Sequence, residues 1–248
     1  MAEYGPETYG DRWAPIYDEW VGHIRTDAEQ AAEFLASVAG GGPALELAIG
    51  TGRIALPLQA KGVEVHGIDA SEGMVAKLRE KPGGADVPVT MGNFADVAVE
   101  SRYPLIYIPF NTLFGLPSQD EQVRCFRNVA DHLTDEGVFV VEGFVPDMAR
   151  FDRGQRVDTT RVELDESHIT FAVHDPVEQR VTTNIVVIKK GTIEQYPVQI
   201  RYAYPAELDL MAELAALRLR ERWGGWSREP FTAASQLHVS IYERARGS

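Results

Sequence analysis

Cysteine and long apolar runs are nearly absent from this chain. Cys125 is the only cysteine among 248 residues, so an internal disulfide cannot form, and we expect the protein in a reducing cytoplasm. No apolar run approaches the ~20 residues that a membrane-spanning helix needs, and the first residues lack the basic-then-apolar pattern of a signal peptide. These absences argue against a membrane partner and against a disulfide-stabilised secreted domain.

Positive charge is also scarce. The 24 Lys and Arg residues are outnumbered by 37 Asp and Glu residues, which gives a formal net charge of −13 at pH 7. Proteins that bind nucleic acids usually need a basic face to neutralise phosphates, and no long cluster of Lys and Arg occurs here. We therefore expect no nucleic-acid partner and favour a small molecule as the substrate.

Metal-binding patterns are missing as well. The six histidines are His23, His66, His132, His168, His174 and His238. None forms a pair at the helical spacing of metal ligands, and no Cys or carboxylate cluster accompanies them. We expect no metal site.

What the chain does contain is an alternation of short apolar strands and amphipathic helices. Apolar residues make up 44% of the chain, which is ample for the core of one large domain. The pattern predicts strands at residues 44–49, 63–68, 87–91, 105–110 and 138–144, with helices at 53–61, 71–80 and 120–133. Strands that alternate with helices predict a mostly parallel sheet that helices cover on both faces.

The segments on either side of this core follow other patterns. Apolar residues at helical spacing predict one helix over most of residues 14–39, within an N-terminal helical lid of residues 1–39. Four strands without helices predict an antiparallel substrate cap over residues 147–204, with strands at 161–164, 168–174, 181–190 and 195–204. A helix at 205–217 and strands at 219–223 and 237–244 return to the core, which comprises residues 40–146 and 205–248.

A glycine-containing loop connects the first core strand to its helix. Residues 46–53 read ELAIGTGR, and Gly50 and Gly52 allow a tight turn that a ligand can approach closely. Asp69 follows the next strand, at a distance where a carboxylate accepts hydrogen bonds from a ribose diol. This combination indicates a cofactor that contains adenosine.

Two cofactors fit this pattern. NAD would place its pyrophosphate at the helix N-terminus behind Gly50 and Gly52. S-adenosylmethionine instead carries a sulfonium, an ammonium and a carboxylate, so the acidic Glu46 beside the loop favours the methyl donor. Met74, which is placed to cover an adenine face, and residues 92–96 (GNFAD) after the third strand favour it too.

These blocks resemble those of class I S-adenosylmethionine-dependent methyltransferases, and the resemblance continues through residues 109–113, 132–137 and 239–242. It implies a Rossmann-like α/β fold with a seven-stranded, mostly parallel sheet whose last strand is antiparallel. It also implies these cofactor-binding roles: Glu46, Gly50 and Gly52 for the methionine end; Asp69, followed by Ala70, for the ribose; Met74, Asn93 and Phe94 for the adenine; Ile108, with Phe110, near the sulfonium. Ala48 and Asn93 depart from the family's usual glycine and acidic residue.

The N-terminal segment is rich in aromatic residues. Together with the antiparallel insertion, it is similar to actinobacterial natural-product N-methyltransferases, including amino-sugar and lincosamide types. That resemblance implies that Tyr9 and Tyr17 border the substrate, with Tyr17 also beside the methionine end. Phe110 and Asn111 follow the fourth strand, at the edge where such sheets bind ligands, and complete the candidate catalytic set.

The predicted activity is methyl transfer from S-adenosylmethionine to an amine nitrogen of a small natural-product acceptor, by in-line displacement. Three alternatives stay open: O-methylation of a hydroxyl, an NAD-dependent oxidoreductase, and a sensor that binds the cofactor without catalysis. A homo-oligomer is compatible with the sequence. The identity of the acceptor and the pathway cannot be read from it.

Asp69 offers the first test. Replacing Asp69 with Ala removes charge-assisted hydrogen bonds worth roughly 1.5–3 kcal/mol each, so S-adenosylmethionine binding should weaken tenfold or more. Calorimetry with S-adenosylhomocysteine measures this, with NAD as the comparison ligand. An affinity that does not change contradicts the ribose assignment.

Overall fold

Eleven strands and seven α-helices make up residues 5–245, the part of the chain that the computed structural model describes. The helices are α1 (Pro6–Trp13), α2 (Tyr17–Ile24), α3 (Ala28–Val38), α4 (Ala55–Ala60), α5 (Glu72–Arg79), α6 (Gln119–His132) and α7 (Pro205–Leu214). The strands are β1 (Ala44–Leu47), β2 (Val65–Asp69), β3 (Val89–Met91), β4 (Tyr103–Ile108), β5 (Leu133–Phe144), β6 (Gln155–Val162), β7 (Glu166–Asp175), β8 (Arg180–Lys189), β9 (Thr192–Arg201), β10 (Leu217–Trp223) and β11 (Leu237–Arg244). Short 3₁₀ turns lie at Gly84–Asp86, Thr112–Gly115 and Met148–Arg150.

The core is one seven-stranded sheet in the order β10-β11-β5-β4-β1-β2-β3. Strands β1 to β5 pair in parallel, whereas β11 is antiparallel to both β5 and β10. The predicted Rossmann-like α/β fold with an antiparallel last strand is therefore confirmed. The strand order reverses between β1 and β4, so the carboxyl ends of β1, β2, β4 and β5 meet at the edge where such sheets bind ligands.

Helices cover both faces of this sheet, because its inner strands carry apolar side chains on both faces. On one face, the Phe126 ring of α6 packs edge-on against Phe139 at 5.2 Å and Tyr242 at 5.6 Å between ring centroids. On the other face, α3 packs its Phe34 ring 5.4 Å from Trp226. None of the helices within residues 5–245 combines the length and apolar character that crossing a membrane requires.

The N-terminal segment forms three helices, and two of them, α2 and α3, lie within residues 14–39, so the prediction of one helix over most of that range is wrong. Arg25 has an extended backbone (φ −140°, ψ 118°) that ends α2, and α3 begins after Asp27. The apolar spacing continues across this break, which is why periodicity alone joins the two helices. Pro15, which lacks a backbone N–H, separates α1 from α2.

The antiparallel insertion is present as a separate four-stranded sheet in the order β6-β7-β8-β9. Its first strand begins six residues earlier than predicted, because Gln155–Val162 is mostly polar and lacks a strand-like apolar alternation. One face carries Ile185, Val187 and Val198, which pack against the lid. The opposite face exposes the apolar side chains Val157, Phe171, Val173, Ile188 and Ile193.

Phe126 tests the packing of the core. It is 0% exposed and contacts two aromatic rings, so Phe126→Ala should lower the free energy of unfolding by about 3–5 kcal/mol. Urea denaturation measures the change. Leu214→Ala, at a side chain that is 61% exposed, is the matched control and should change it by about 0.5 kcal/mol or less. Similar losses in the two variants would contradict this packing.

Candidate active site

The glycine loop lies between β1 and α4, at the carboxyl edge of the sheet. Ala48, Gly50 and Gly52 all have left-handed backbone angles, with φ of 55°, 57° and 79°. A Cβ on Gly52 would come within 2.4 Å of the Leu78 side chain, so the loop packs closely on α5. Ala48 adopts the left-handed conformation despite its Cβ, at a cost of roughly 1–2 kcal/mol, in the position where a glycine is usual.

Asp69, the last residue of β2, ties this loop to α5. Its side-chain oxygens accept hydrogen bonds from the backbone N–H of Gly50 at 2.7 Å and of Ser71 at 2.8 Å. Burial raises the pKa of Asp69, while the N–H groups of Ser71 and Gly50 favour the ionised form. The helix cap of α5 is Ser71, whose hydroxyl accepts from the Met74 N–H, so Asp69 is not the cap itself.

Glu46 is the most deeply buried carboxyl group beside the loop, at 3% exposure. One of its oxygens accepts a hydrogen bond of 2.8 Å from the hydroxyl of Tyr107, on the neighbouring strand β4. Burial raises the pKa of Glu46 to about 8, although Tyr107 and Arg53 favour the ionised form. The group is thus poised to ionise when a cation binds beside it.

The lid is fastened to the glycine loop by polar contacts. Asp18 of α2 accepts a hydrogen bond from the Thr51 hydroxyl at 2.6 Å and pairs with Lys81 at 2.8 Å. The Lys81 ammonium also donates to the Thr51 carbonyl at 2.8 Å. In α1, Asp11 accepts from the Ser71 hydroxyl at 2.5 Å. The lid therefore rests on the two segments that the sequence assigns to the cofactor.

Aromatic rings join the lid to the cap sheet. The buried Trp13 ring lies 5.7 Å from Tyr9, 4.5 Å from Trp20 and 4.9 Å from Tyr196 of β9, between centroids. Met74 of α5 packs into the same cluster and is 3% exposed. Tyr9 and Met74 thus belong to one apolar cluster that joins the lid, the cap and the core.

Tyr17 faces the charged groups of the loop. Burial raises the pKa of its phenol to about 12; the positive charge of Arg53 opposes this, and the negative charges of Glu46, Asp18 and Asp69 add to it. Its ring packs against the Trp13 cluster, and its phenol lies within the electrostatic influence of both predicted cofactor carboxylates. Among the candidate catalytic residues, Tyr17 is therefore the one most closely associated with the loop.

The turn after β4 has an unusual backbone. Phe110 and Asn111 both have left-handed angles, with φ of 57° and 61°, which cost on the order of 1–3 kcal/mol each for residues with side chains. The Asn111 side-chain oxygen accepts a hydrogen bond from the Phe144 N–H at 2.6 Å. The Phe110 ring lies under two guanidinium groups, Arg25 at 5.0 Å and Arg53 at 5.2 Å.

The remaining candidates lie at the same edge. Asn93 uses its side-chain oxygen to accept from the Ala95 N–H at 2.9 Å, which stabilises the turn after β3. Phe94 is half-buried against the core, and Ile108 is 0% exposed, so its side chain belongs to the core. Ala70 is part of the short connection between Asp69 and the Ser71 cap.

Four charged residues at this edge were not predicted from the sequence. They are Arg25, Asp27, Arg53 and Glu142. Asp27 binds Arg25 at 2.5 Å and Arg53 at 3.0 Å, and Glu142 pairs with Arg25. The sequence contained a signal for Glu142, because it is the lone carboxyl group in the apolar strand predicted at residues 138–144. Nothing in the sequence pattern relates the two arginines to it.

The residues present fit S-adenosylmethionine better than a dinucleotide. Two buried carboxyl groups, Glu46 and Asp69, flank the loop; they offer no positive charge to a pyrophosphate, whereas they complement an ammonium, a sulfonium and a ribose diol. Among residues 5–245, no three His, Cys, Asp or Glu side chains are grouped closely enough to hold a metal ion.

Comparison with known proteins agrees with this chemistry. A family model described as a methyltransferase domain matches residues 44–137. The structure of the CcbJ methyltransferase from Streptomyces caelestis is 43% identical, with a TM-score of 0.93, over 98% of this chain and 100% of that one. The cypemycin N-terminal methyltransferase from a Streptomyces species is 28% identical over 203 residues, 81% of this chain and 82% of that protein.

A further solved structure has the same fold at low identity. It is an amino pentose methyltransferase from Micromonospora echinaspora with S-adenosylmethionine bound, 18% identical, with a TM-score of 0.67 over 97% of this chain and 98% of that one.

Glu46 makes the free energy of unfolding of the protein depend on pH. Its pKa is about 8 in the folded chain and 4.5 as its ordinary value, so folding retains a proton that the unfolded chain releases. The free energy of unfolding therefore falls as the pH rises between these values. Glu46→Gln keeps an acceptor for Tyr107 and removes this loss, so Tm at pH 8 should rise by on the order of 5 °C.

Thermal unfolding at pH 5 and pH 8 measures the effect. The gain should be much smaller at pH 5, where the unfolded chain holds more of its protons. Glu29→Gln, at a side chain that is 74% exposed, is the matched control and should leave Tm unchanged. An equal gain at both pH values would show that the effect is not due to the ionisation of Glu46.

Proposed function

Because this chain belongs to the S-adenosylmethionine-dependent methyltransferases, we propose that it transfers the donor's methyl group to an amine nitrogen of a small natural-product acceptor. S-adenosylmethionine is its cofactor, which removes the NAD-dependent oxidoreductase from the alternatives. The choice of an amine rests on one observation: the carboxyl groups at the site already have hydrogen-bond or ion-pair partners. Similarity to an enzyme named as an N-terminal methyltransferase supports the same choice.

The carboxyl groups at this edge already have hydrogen-bond or ion-pair partners. Asp69 binds backbone N–H groups, Asp27 binds two arginines, and Glu142 binds an N–H and an arginine. Glu46 is bonded to Tyr107. A hydroxyl acceptor needs a base to take its proton, whereas a neutral amine attacks through its own lone pair. The arrangement therefore favours nitrogen over oxygen.

The cofactor's site is defined by residues of three segments. We assign the glycine loop with Glu46 to the methionine end, Asp69 to the ribose, and Met74, Asn93 and Phe94 to the adenine. When bound, S-adenosylmethionine supplies a methyl carbon that its sulfonium activates toward nucleophiles. Glu46 balances the cofactor's positive charge, and its raised pKa allows it to ionise in response.

The chain's own contribution to rate is positioning and exclusion of water. Asp11 and Asp18 hold α1 and α2 over the loop, while Ile185, Val187 and Val198 of the cap sheet pack against these helices from the other side. We assign Tyr9, Tyr17, Phe110 and Asn111 to orienting the acceptor. Well-oriented reactants remove about 7 kcal/mol or more of a bimolecular barrier. An amine that arrives unprotonated attacks through its own lone pair.

We propose that the acceptor is a small natural product whose amine is unprotonated when it attacks; similarity to an enzyme named as an N-terminal methyltransferase supports this class. A homo-oligomeric state and a cytoplasmic location stay predictions.

A panel of matched acceptors tests this function. We expect methylation of a peptide with a free N-terminus or of an amino sugar, detected by mass spectrometry as the gain of one methyl group. The same peptide with a blocked N-terminus and the matching deaminated sugar are the controls. The rate should rise with pH until the acceptor amine is fully deprotonated.

Other outcomes distinguish the alternatives. Methyl transfer to a hydroxyl of the deaminated sugar would establish O-methylation instead. Binding of S-adenosylhomocysteine without turnover of any amine or hydroxyl acceptor would favour the sensor.

A further inference from the structure

Glu142 is a buried carboxylate that the reaction scheme above does not use. It lies near the carboxyl end of β5 and is 1% exposed. One oxygen accepts a hydrogen bond of 2.6 Å from the Phe110 N–H, and the other pairs with Arg25. Since both oxygens are engaged, this side chain is not a free proton acceptor.

The first of these contacts fixes the strained turn after β4. The Asn111 N–H donates to the Glu142 carbonyl at 3.3 Å, and the Asn111 side chain accepts from the Phe144 N–H. The left-handed pair Phe110–Asn111 is thus bound to β5 by three hydrogen bonds, two of them to Glu142. A strained backbone persists only where its surroundings hold it in this way.

The second contact reaches the lid. Arg25 is the C-terminal cap residue of α2, and it shares Asp27 with Arg53 of the glycine loop. The guanidinium groups of both arginines lie over the Phe110 ring. Glu142 therefore connects the end of the lid to the turn that carries two candidate catalytic residues.

We propose that Glu142 is a positioning residue, which couples seating of the lid through Arg25 to the placement of Phe110 and Asn111. When Arg25 pairs with Glu142, its positive charge balances the carboxylate and holds it where it accepts from the Phe110 N–H. When Arg25 is removed, a charge is left buried without its partner and the turn loses its anchor. This inference rests on the proposed function, because it concerns the same site.

Amide hydrogen exchange tests the coupling without any acceptor. In Arg25→Met, amide exchange of residues 110–114 should become at least fivefold faster; Arg25 makes no hydrogen bond to that segment among the contacts described, and only its guanidinium lies over the Phe110 ring. Arg218→Met breaks the exposed Arg218–Glu243 pair and is the matched control, with no change expected. Exchange that stays unchanged in Arg25→Met overturns the coupling and leaves the proposed function standing.

Kinetics with an amine acceptor provide the second arm. Arg25→Met and Glu142→Gln should each lower kcat about tenfold, with KM for S-adenosylmethionine changed less than threefold. The double variant should be no slower than the slower single variant, and Arg25→Lys should restore most of kcat. Effects that multiply to about a hundredfold in the double variant would show that the two residues act independently and overturn the proposal.

The two failures are distinguishable. If no amine is methylated although the exchange result is as expected, the proposed function fails and the coupling stands. Glu243→Gln is a further control. It removes one partner of the exposed Arg218–Glu243 pair and should leave both kcat and the exchange of residues 110–114 unchanged.

Discussion

A carboxylate removed from water must be given donors, and this constraint shapes the whole edge of the sheet where the site lies. Asp69 receives the N–H groups of the glycine loop and of the α5 cap, which fixes the spacing of those two segments. Glu142 receives the N–H of the turn after β4, which holds a backbone that would otherwise relax. The glycine loop and the turn after β4 are thus each held by a buried acid.

The lid is also held by carboxylates. Asp11 and Asp18 of the lid accept hydrogen bonds from hydroxyl groups of the core, and Arg25 of the lid pairs with the buried Glu142. Surface ion pairs are individually weak, but several of them acting on one short helical segment, together with the buried Trp13, define one seated position. Under the proposed function, one seated position matters because methyl transfer requires an aligned donor and acceptor and the exclusion of water.

The sequence allowed the architecture to be predicted because alternating strands and helices leave a strong periodic signal. The seven-stranded sheet, the antiparallel cap and the positions of Gly50, Gly52 and Asp69 follow from that signal and from local turn chemistry. The break between α2 and α3 did not follow, since apolar spacing continues through Asp27. The network of Arg25, Asp27, Arg53 and Glu142 could not be predicted either. Its members are as much as 117 residues apart in sequence, and no local pattern pairs them.

The distribution of indole rings has a spectroscopic consequence. Of the four tryptophans, Trp13 and Trp20 lie in the lid and contact each other, whereas Trp223 and Trp226 lie on and just after β10. Trp13 is 1% exposed, in a cluster with Tyr9, Trp20, Met74 and Tyr196. Trp226 lies elsewhere, against Phe34 of α3 on the core sheet. A displacement of α1 and α2 alone would move the Trp13 indole from an apolar surrounding into water and would shift its emission to longer wavelength. The intrinsic fluorescence of the protein would therefore report, without an attached label, whether these two helices are packed on the cap sheet.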